Sequence, residues 1–312
     1  MKDILLYVNG IIKLNNKFPS GGIEFLNFSL YSHLKKKHNV YITNKISNFH
    51  KKKKWDIIIS SNDARIFSLL NSKRNILWMH NKLQLEKSLR KCQLIPIWSN
   101  YIEAVFVSRY LEKNTSNLYF FNKRLIIPNF LGEIFSNQKL NFTERRDQNF
   151  IWSVQREHKL NDIIDLWKNQ IFKENKKIKL HIFGTKKRNH KIYKNLNIFF
   201  HGKVPRQSLI RFYKKSSAMI CLGYDETFCL NAIEAMSQGL PIISLGITAL
   251  EELLIDNYNG FKINKIDDLP DVINKIINLK KAKKIEFYKN SLKFSKKYNF
   301  SHIKKKWNYL IN

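Results

Sequence analysis

Two glutamates, Glu226 and Glu234, stand eight positions apart in a stretch, residues 221–261, whose residue order packing alone explains poorly. An apolar run at 218–222 reads as a buried strand and 223–227 as a polar turn. A helix is expected from near Phe228 to Gly239, with Pro241 just beyond it. A glycine there can take the left-handed conformation, and proline cannot continue the helix. Residues 242–245 then form a second strand, giving a strand, helix, strand unit of the parallel-sheet kind. On one helix the two carboxylates would lie roughly 12 Å apart at ~1.5 Å per residue. Between them the first-turn N–H groups lack intrahelical acceptors and sit at the positive end of the helix dipole, where an anion binds. A nucleoside diphosphate sugar has the matching order of parts: sugar hydroxyls, diphosphate, ribose hydroxyls. Two glutamates at this spacing also occur on ordinary surface helices, one at the N-terminus and one solvated.

The longer string distinguishes the two readings: Glu226-Thr227-Phe228, seven residues between the glutamates, then Glu234-Ala235-Met236 and Gly239-Leu240-Pro241, with Glu251 and Asn259-Gly260 downstream. It resembles the donor-site signature of the family 4 glycosyltransferases (glycosyl transferases group 1), whose fold is GT-B. The resemblance implies an α/β chain of two Rossmann-like parallel-sheet domains facing across a cleft, with a C-terminal helix crossing back to the first. It implies a retaining hexosyltransferase that takes a sugar from a nucleoside diphosphate sugar and needs neither metal nor cofactor. The acceptor implied is a glycan or a lipid-linked glycan, in cell-surface polysaccharide or lipopolysaccharide synthesis. Glu226 would hold the sugar and Glu234 the ribose, with Thr227 and Phe228 beside the donor. The resemblance covers nearly the whole chain and is specific from about Gly202 to Gly260.

The elements that must position this unit follow from the apolar pattern. Residues 4–8 make a first strand, and Gly21-Gly22-Ile23-Glu24 opens a helix to about Leu34 with Leu26, Phe28, Leu30 and Leu34 as its buried side. In the resembling family Gly21 and Gly22 let the backbone approach the donor diphosphate. Runs at 40–43, 55–60 and 76–79 read as parallel strands buried on both faces. His80 then falls at the carboxyl edge, where open α/β sheets bind ligands. A lone histidine is often structural; the resemblance turns it toward the transferred sugar or the acceptor. Residues 1–132 form the expected first domain, 133–149 a polar linker, 150–288 the donor domain and 289–312 the returning helix. Within the donor domain Ile163, Ile164, Trp167 and Ile171 face inward from a helix at 160–172. Arg156 and Lys159 before it resemble the pair that holds the diphosphate. They are three positions apart rather than about five, and Gln155 stands where the family has glycine. Phe294, Tyr298, Phe300 and Trp307, in a basic C-terminal stretch, are expected to be packing residues.

Composition sets the outer bounds. A chain of 312 residues that is 44% hydrophobic is expected to build two cores. The net charge of +32 comes mainly from lysine, with only 11 arginines among 56 basic residues. Readers of bases and phosphates favour arginine's bidentate fork, so no specific nucleic-acid partner is expected; attraction to an anionic membrane surface is. Cys92, Cys221 and Cys229 form no C-x-x-C pair and no Asp-x-Asp occurs, which argues against a disulfide framework and against a metal site. No apolar run approaches the ~18 residues of a membrane span, and the expected location is cytoplasmic, with peripheral contact at the inner membrane face. A glycosidase would need two carboxyls about 5 to 9.5 Å apart across one bond, closer than this pair. The competing readings are a nucleotide-sugar epimerase of similar fold, and a lysine-rich nucleic-acid or lipid binder with a vestigial donor site.

Overall fold

A computed structural model describes residues 1–9, 21–136, 140, 148–153, 159–186 and 191–312. The chain forms two compact units, Met1–Phe130 with Phe300–Asn312, and Leu131–Asn299. Among the described residues no helix is long and apolar enough to cross a membrane.

The first unit is built on a six-stranded parallel sheet in the order β2-β1-β3-β4-β5-β6. Its strands are β1 Asp3–Val8, β2 Asn39–Thr43, β3 Lys54–Ser61, β4 Asn71–Met79, β5 Ile102–Phe106 and β6 Lys123–Ile126. Ile57, Ile58 and Ile59 are all buried, the unbroken apolar run required of a strand covered on both faces. The helix Gly22–Leu34 turns Leu26, Phe28, Leu30 and Leu34 inward, as its pattern predicts. Asn27, buried on the same side, donates through Nδ2 to Ser61 Oγ at 2.9 Å and Ile23 O at 2.9 Å, so its polar head is satisfied. The C-terminal helix Phe300–Ile311 belongs to this unit and buries Ile303, Trp307, Leu310 and Ile311. Its Trp307 ring meets Trp78 of β4 edge-on at 4.7 Å. Two short helices, Leu85–Arg90 and Leu94–Ser99, connect β4 to β5, and a 3-10 turn Asn117–Tyr119 precedes β6.

The second unit carries another six-stranded parallel sheet, ordered β12-β11-β10-β7-β8-β9. These are β7 Asn149–Ser153, β8 Lys179–Phe183, β9 Ile198–Gly202, β10 Ala218–Ile220, β11 Ile242–Ser244 and β12 Gly260–Lys262. The order reverses between β7 and β10, which makes the crevice beyond their carboxyl ends the topological switch point, the usual place for a ligand in such sheets. The helix expected at 160–172 is not uniform. It runs Leu160–Leu166, widens into a π-helical turn Trp167–Ile171 and closes at Phe172–Glu174. The wide turn seats the fully buried Trp167 ring while its Nε1–H donates to Leu196 O at 3.0 Å, a local gain that offsets imperfect helical bonding. Gly260 is required at its place because a Cβ would come within 2.3 Å of Ile242 O across the β11–β12 pairing.

The ends of the units differ from the sequence pattern. The helix Lys281–Ser295 stays in the second unit, so the return to the first begins at Phe300 rather than 289. Of the expected linker, Glu133–Ser136 is helical with Phe135 buried, while 137–139 and 141–147 lie outside the described residues.

Candidate functional site

The strand β10 runs into a loop, 223–229, held open by residues in the left-handed region: Gly223 at φ +100, Asp225 at 56 and Cys229 at 62. Gly223 needs its missing side chain, since a Cβ would sit 3.0 Å from Leu250 Cδ1 and 3.1 Å from Ile247 O. Its carbonyl accepts from Thr248 Oγ1–H at 2.6 Å, and the Glu226 carbonyl accepts from Ala249 N–H at 3.3 Å. These bonds fasten the loop to the segment after β11 and leave the Glu226 side chain partly exposed at the carboxyl end of β10.

The helix begins at Leu230 and ends at Ser237, not at Phe228. Cys229, at positive φ, cannot be a helical residue, so Glu226 sits four positions ahead of the first turn. The 12 Å axial separation of the two carboxylates therefore does not apply. At the far end the helix stops as its glycine predicts: Gly239 adopts φ 69, and its N–H and that of Leu240 donate to Met236 O at 2.8 Å and Ala235 O at 3.0 Å. The start is anchored across the switch point, where Asn231 Nδ2–H donates to Ser153 O at the end of β7.

Glu234 is inside this helix packing, 1% exposed, and its Oε1 pairs with the guanidinium of Arg206. Arg206 is the first residue of the helix Arg206–Lys215 and is itself mostly buried, which pulls its pKa down to about 10. Sequence reasoning missed Arg206, although a signal existed. A cation at a helix N-terminus faces the positive end of the dipole and needs a carboxylate nearby. Phe228, expected beside the donor, is buried with its ring edge-on to Tyr298 at 5.6 Å. Thr227 stays partly exposed beside Glu226.

Lys159 stands at the start of the helix Leu160–Leu166 with φ 65, and its ammonium pairs with Asp162 at 3.0 Å, a hydrogen bond that raises its pKa. Arg156 lies outside the described residues. A cavity of about 680 Å³ opens at this carboxyl edge, with Lys159, Asp162, Tyr224, Ile247, Asn264 and Asp267 among its lining. Tyr224 joins it to the loop that carries Glu226. The cysteines on either side of the loop, Cys221 and Cys229, are free thiols with their sulfurs 3.2 Å apart. The hydrogen bond between them and burial push the Cys229 thiol well above its usual range, which makes it a poor nucleophile.

In the first unit His80 follows β4 as expected, but its ring is buried against Trp78 at 4.6 Å and burial pulls its pKa down to about 3. Its backbone N–H donates to Asn62 Oδ1 at 2.7 Å. The histidine is therefore neutral and held in place. Gly21 has an ordinary φ of −116, and among the described residues the nearest atoms to a Cβ there would be those of the Glu24 side chain, at 3.7 Å or more. Neither conformation nor packing among the described residues demands glycine at this position.

Solved structures of the same architecture fix the class. Sucrose-phosphate synthase from Thermosynechococcus elongatus matches with a TM-score of 0.74 at 12% identity, over 99% of this chain and 98% of that one. HepE of Anabaena, solved with UDP and glucose, matches at 0.67 and 12% identity over 100% and 99%. The fold is GT-B. In sequence, the profile of the family described as glycosyl transferases group 1 matches residues 135–293, just over half of the chain. The chain belongs to that family. An uncharacterized glycosyltransferase of Methanocaldococcus jannaschii is 30% identical over 101 residues, a stretch covering 32% of this chain and 28% of that relative's length.

Proposed function

We propose that this protein transfers a sugar from a nucleoside diphosphate sugar, with UDP as the nucleotide, to a glycan or lipid-linked acceptor, retaining the anomeric configuration and using no divalent ion. The observation that supports this most is the loop 223–229. It presents Glu226 beyond β10, next to the β7 end, at the switch point of the sheet that the family profile covers. In this reading Glu226 holds the sugar hydroxyls at the reacting end. Arg156 and Lys159 neutralise the diphosphate as it leaves, electrostatic stabilisation of the developing charge. Glu234 reaches the ribose hydroxyls by exchanging its pairing with Arg206. Gly21 and Gly22 admit the diphosphate close to the backbone, and His80, neutral, acts as a positioning residue beside the acceptor or the sugar. The acceptor chemistry suits cell-surface polysaccharide synthesis on the cytoplasmic side of a membrane.

The test is product analysis with a panel of nucleoside diphosphate sugars and glycan acceptors in excess EDTA. The expected result is acceptor-dependent release of nucleoside diphosphate and a glycosylated product of unchanged anomeric configuration. Loss of activity restored by Mg²⁺ or Mn²⁺ would remove the metal-independent reading. An epimerised donor formed without acceptor would replace transfer with epimerisation.

A further inference from the structure

Among the described residues, eleven large hydrophobic side chains are more than half exposed, and six of them fall between residues 89 and 120: Leu89, Ile95, Trp98, Tyr101, Leu118 and Phe120. Single exposed apolar residues are ordinary, whereas a concentration of them marks a surface that is used. Two hydrogen bonds gather the elements that carry them. Trp98 Nε1–H donates to Leu118 O at 2.8 Å, tying the helix Leu94–Ser99 to the turn Asn117–Tyr119. Ser88 Oγ and Tyr119 Oη, 3.1 Å apart, tie the helix Leu85–Arg90 to the same turn. Because the Trp98 N–H is already bonded, the indole presents an apolar surface to its surroundings. Phe120, 68% exposed, is held at φ 48, a conformation that a phenylalanine rarely adopts.

The charges around these side chains have one sign. Lys87, Arg90, Lys91 and Lys123 are exposed, and the exposed acid among residues 85–123 is Glu86 alone, paired with Arg90 at 3.5 Å. A second copy of the chain would bring two such cationic faces together in molecules that each carry +32, so like-charge repulsion disfavours self-association. An anionic bilayer satisfies both halves of the surface. Tryptophan, tyrosine and phenylalanine settle at the boundary between headgroups and acyl chains, and lysine and arginine meet the lipid phosphates. We propose that the face formed by Leu85–Arg90, Leu94–Ser99 and Asn117–Tyr119 is where the first unit lies on an anionic membrane, its aromatic side chains inserted to headgroup depth. The lysines at 51–54 add long-range attraction without insertion. This proposal stands apart from the sugar-transfer reading, and neither falls with the other.

Trp98 makes the test direct, because it is 52% exposed while Trp55, Trp78, Trp152, Trp167 and Trp307 are at most 2% exposed. Intrinsic fluorescence of the full chain is measured with vesicles of equimolar phosphatidylglycerol and phosphatidylcholine whose acyl chains are brominated, alongside sedimentation on the same vesicles. The expected result is quenching that disappears in Trp98→Phe, a variant that still sediments. The pair Ile95→Ser with Phe120→Ser should lower partition about tenfold or more with an unchanged melting temperature, since both side chains are outside the core. Lys-to-Glu changes at 51–54 should weaken binding at low salt and lower its salt sensitivity, yet preserve the quenching. Sedimentation with no quenching, or equal binding to purely neutral vesicles, overturns the proposal. So does a concentration-dependent dimer, seen by sedimentation velocity, that Phe120→Ser dissolves.

Discussion

The loop 223–229 places three residues at positive φ and leaves Glu226 partly exposed, whereas the helix Leu230–Ser237, which follows directly, buries six of its eight residues, Glu234 among them. Two carboxylates of the same motif are thus housed in opposite ways. A strained, tethered loop carries the side chain that a ligand can reach. A packed helix carries one whose charge is already answered, by Arg206. His80, at the carboxyl edge of the other sheet, resembles Glu234 in this respect, with its ring neutral and enclosed. In the donor-free protein the removal of a sealed group of this kind is felt first in stability. An open group serves through contact, and its removal is felt first in rate.

The largest effect that would break this contrast is at Glu234. Replacing it with Gln removes the carboxylate paired with the mostly buried Arg206 cation, and losing one partner of a buried ion pair costs about 3–5 kcal/mol. Thermal unfolding should register that loss, and the double variant Arg206→Met with Glu234→Leu should recover most of it. A Gln variant as stable as the wild type would mean that Glu234 is not sealed at all. The next effect is a pH dependence. His80 stays neutral in the fold down to about pH 3, while in the unfolded chain it takes a proton below about 6.5. Its contribution to stability is therefore complete above that range and is lost as pH falls, by about 3 kcal/mol at pH 4. Melting curves from pH 7 to 4 should be flatter for His80→Gln than for the wild type; parallel profiles would show the ring to be solvated. The smallest effect sharpens the loop side. Gly223→Ala forces a Cβ against Leu250 and Ile247 at φ +100, at a cost of about 1–3 kcal/mol, and should lower donor affinity together with stability.

The parallel strands, the glycine stop at Gly239 and the buried face of the helix Gly22–Leu34 were legible in the sequence, because each rests on a local apolar period or on the backbone freedom of glycine. The start of the helix after β10 was not. Thr227-Phe228-Cys229 carries no breaker, and only the left-handed Cys229, fixed by tertiary contacts, shows that the helix begins at Leu230. The same limit applied to Glu234: a glutamate in an apolar helix reads as a ligand-binding group until Arg206, 28 positions earlier in the chain, is seen beside it. Likewise Cys221 and Cys229 share no motif spacing, yet the loop's return brings their sulfurs within 3.2 Å. The π-helical turn at Trp167–Ile171 escaped for a related reason, since the apolar face of that segment fits a plain helix equally well.

The central claim, that Glu226 acts at the reacting end of a bound donor, is tested most directly by steady-state kinetics of Glu226→Ala with the donor sugar that the panel identifies. The account predicts an unchanged melting temperature, a donor KM within a few-fold of the wild type and a kcat lower by about 100-fold, the scale of loss when a reacting group is misplaced by an ångström. A variant that is equally stable and turns over at the wild-type rate would contradict it.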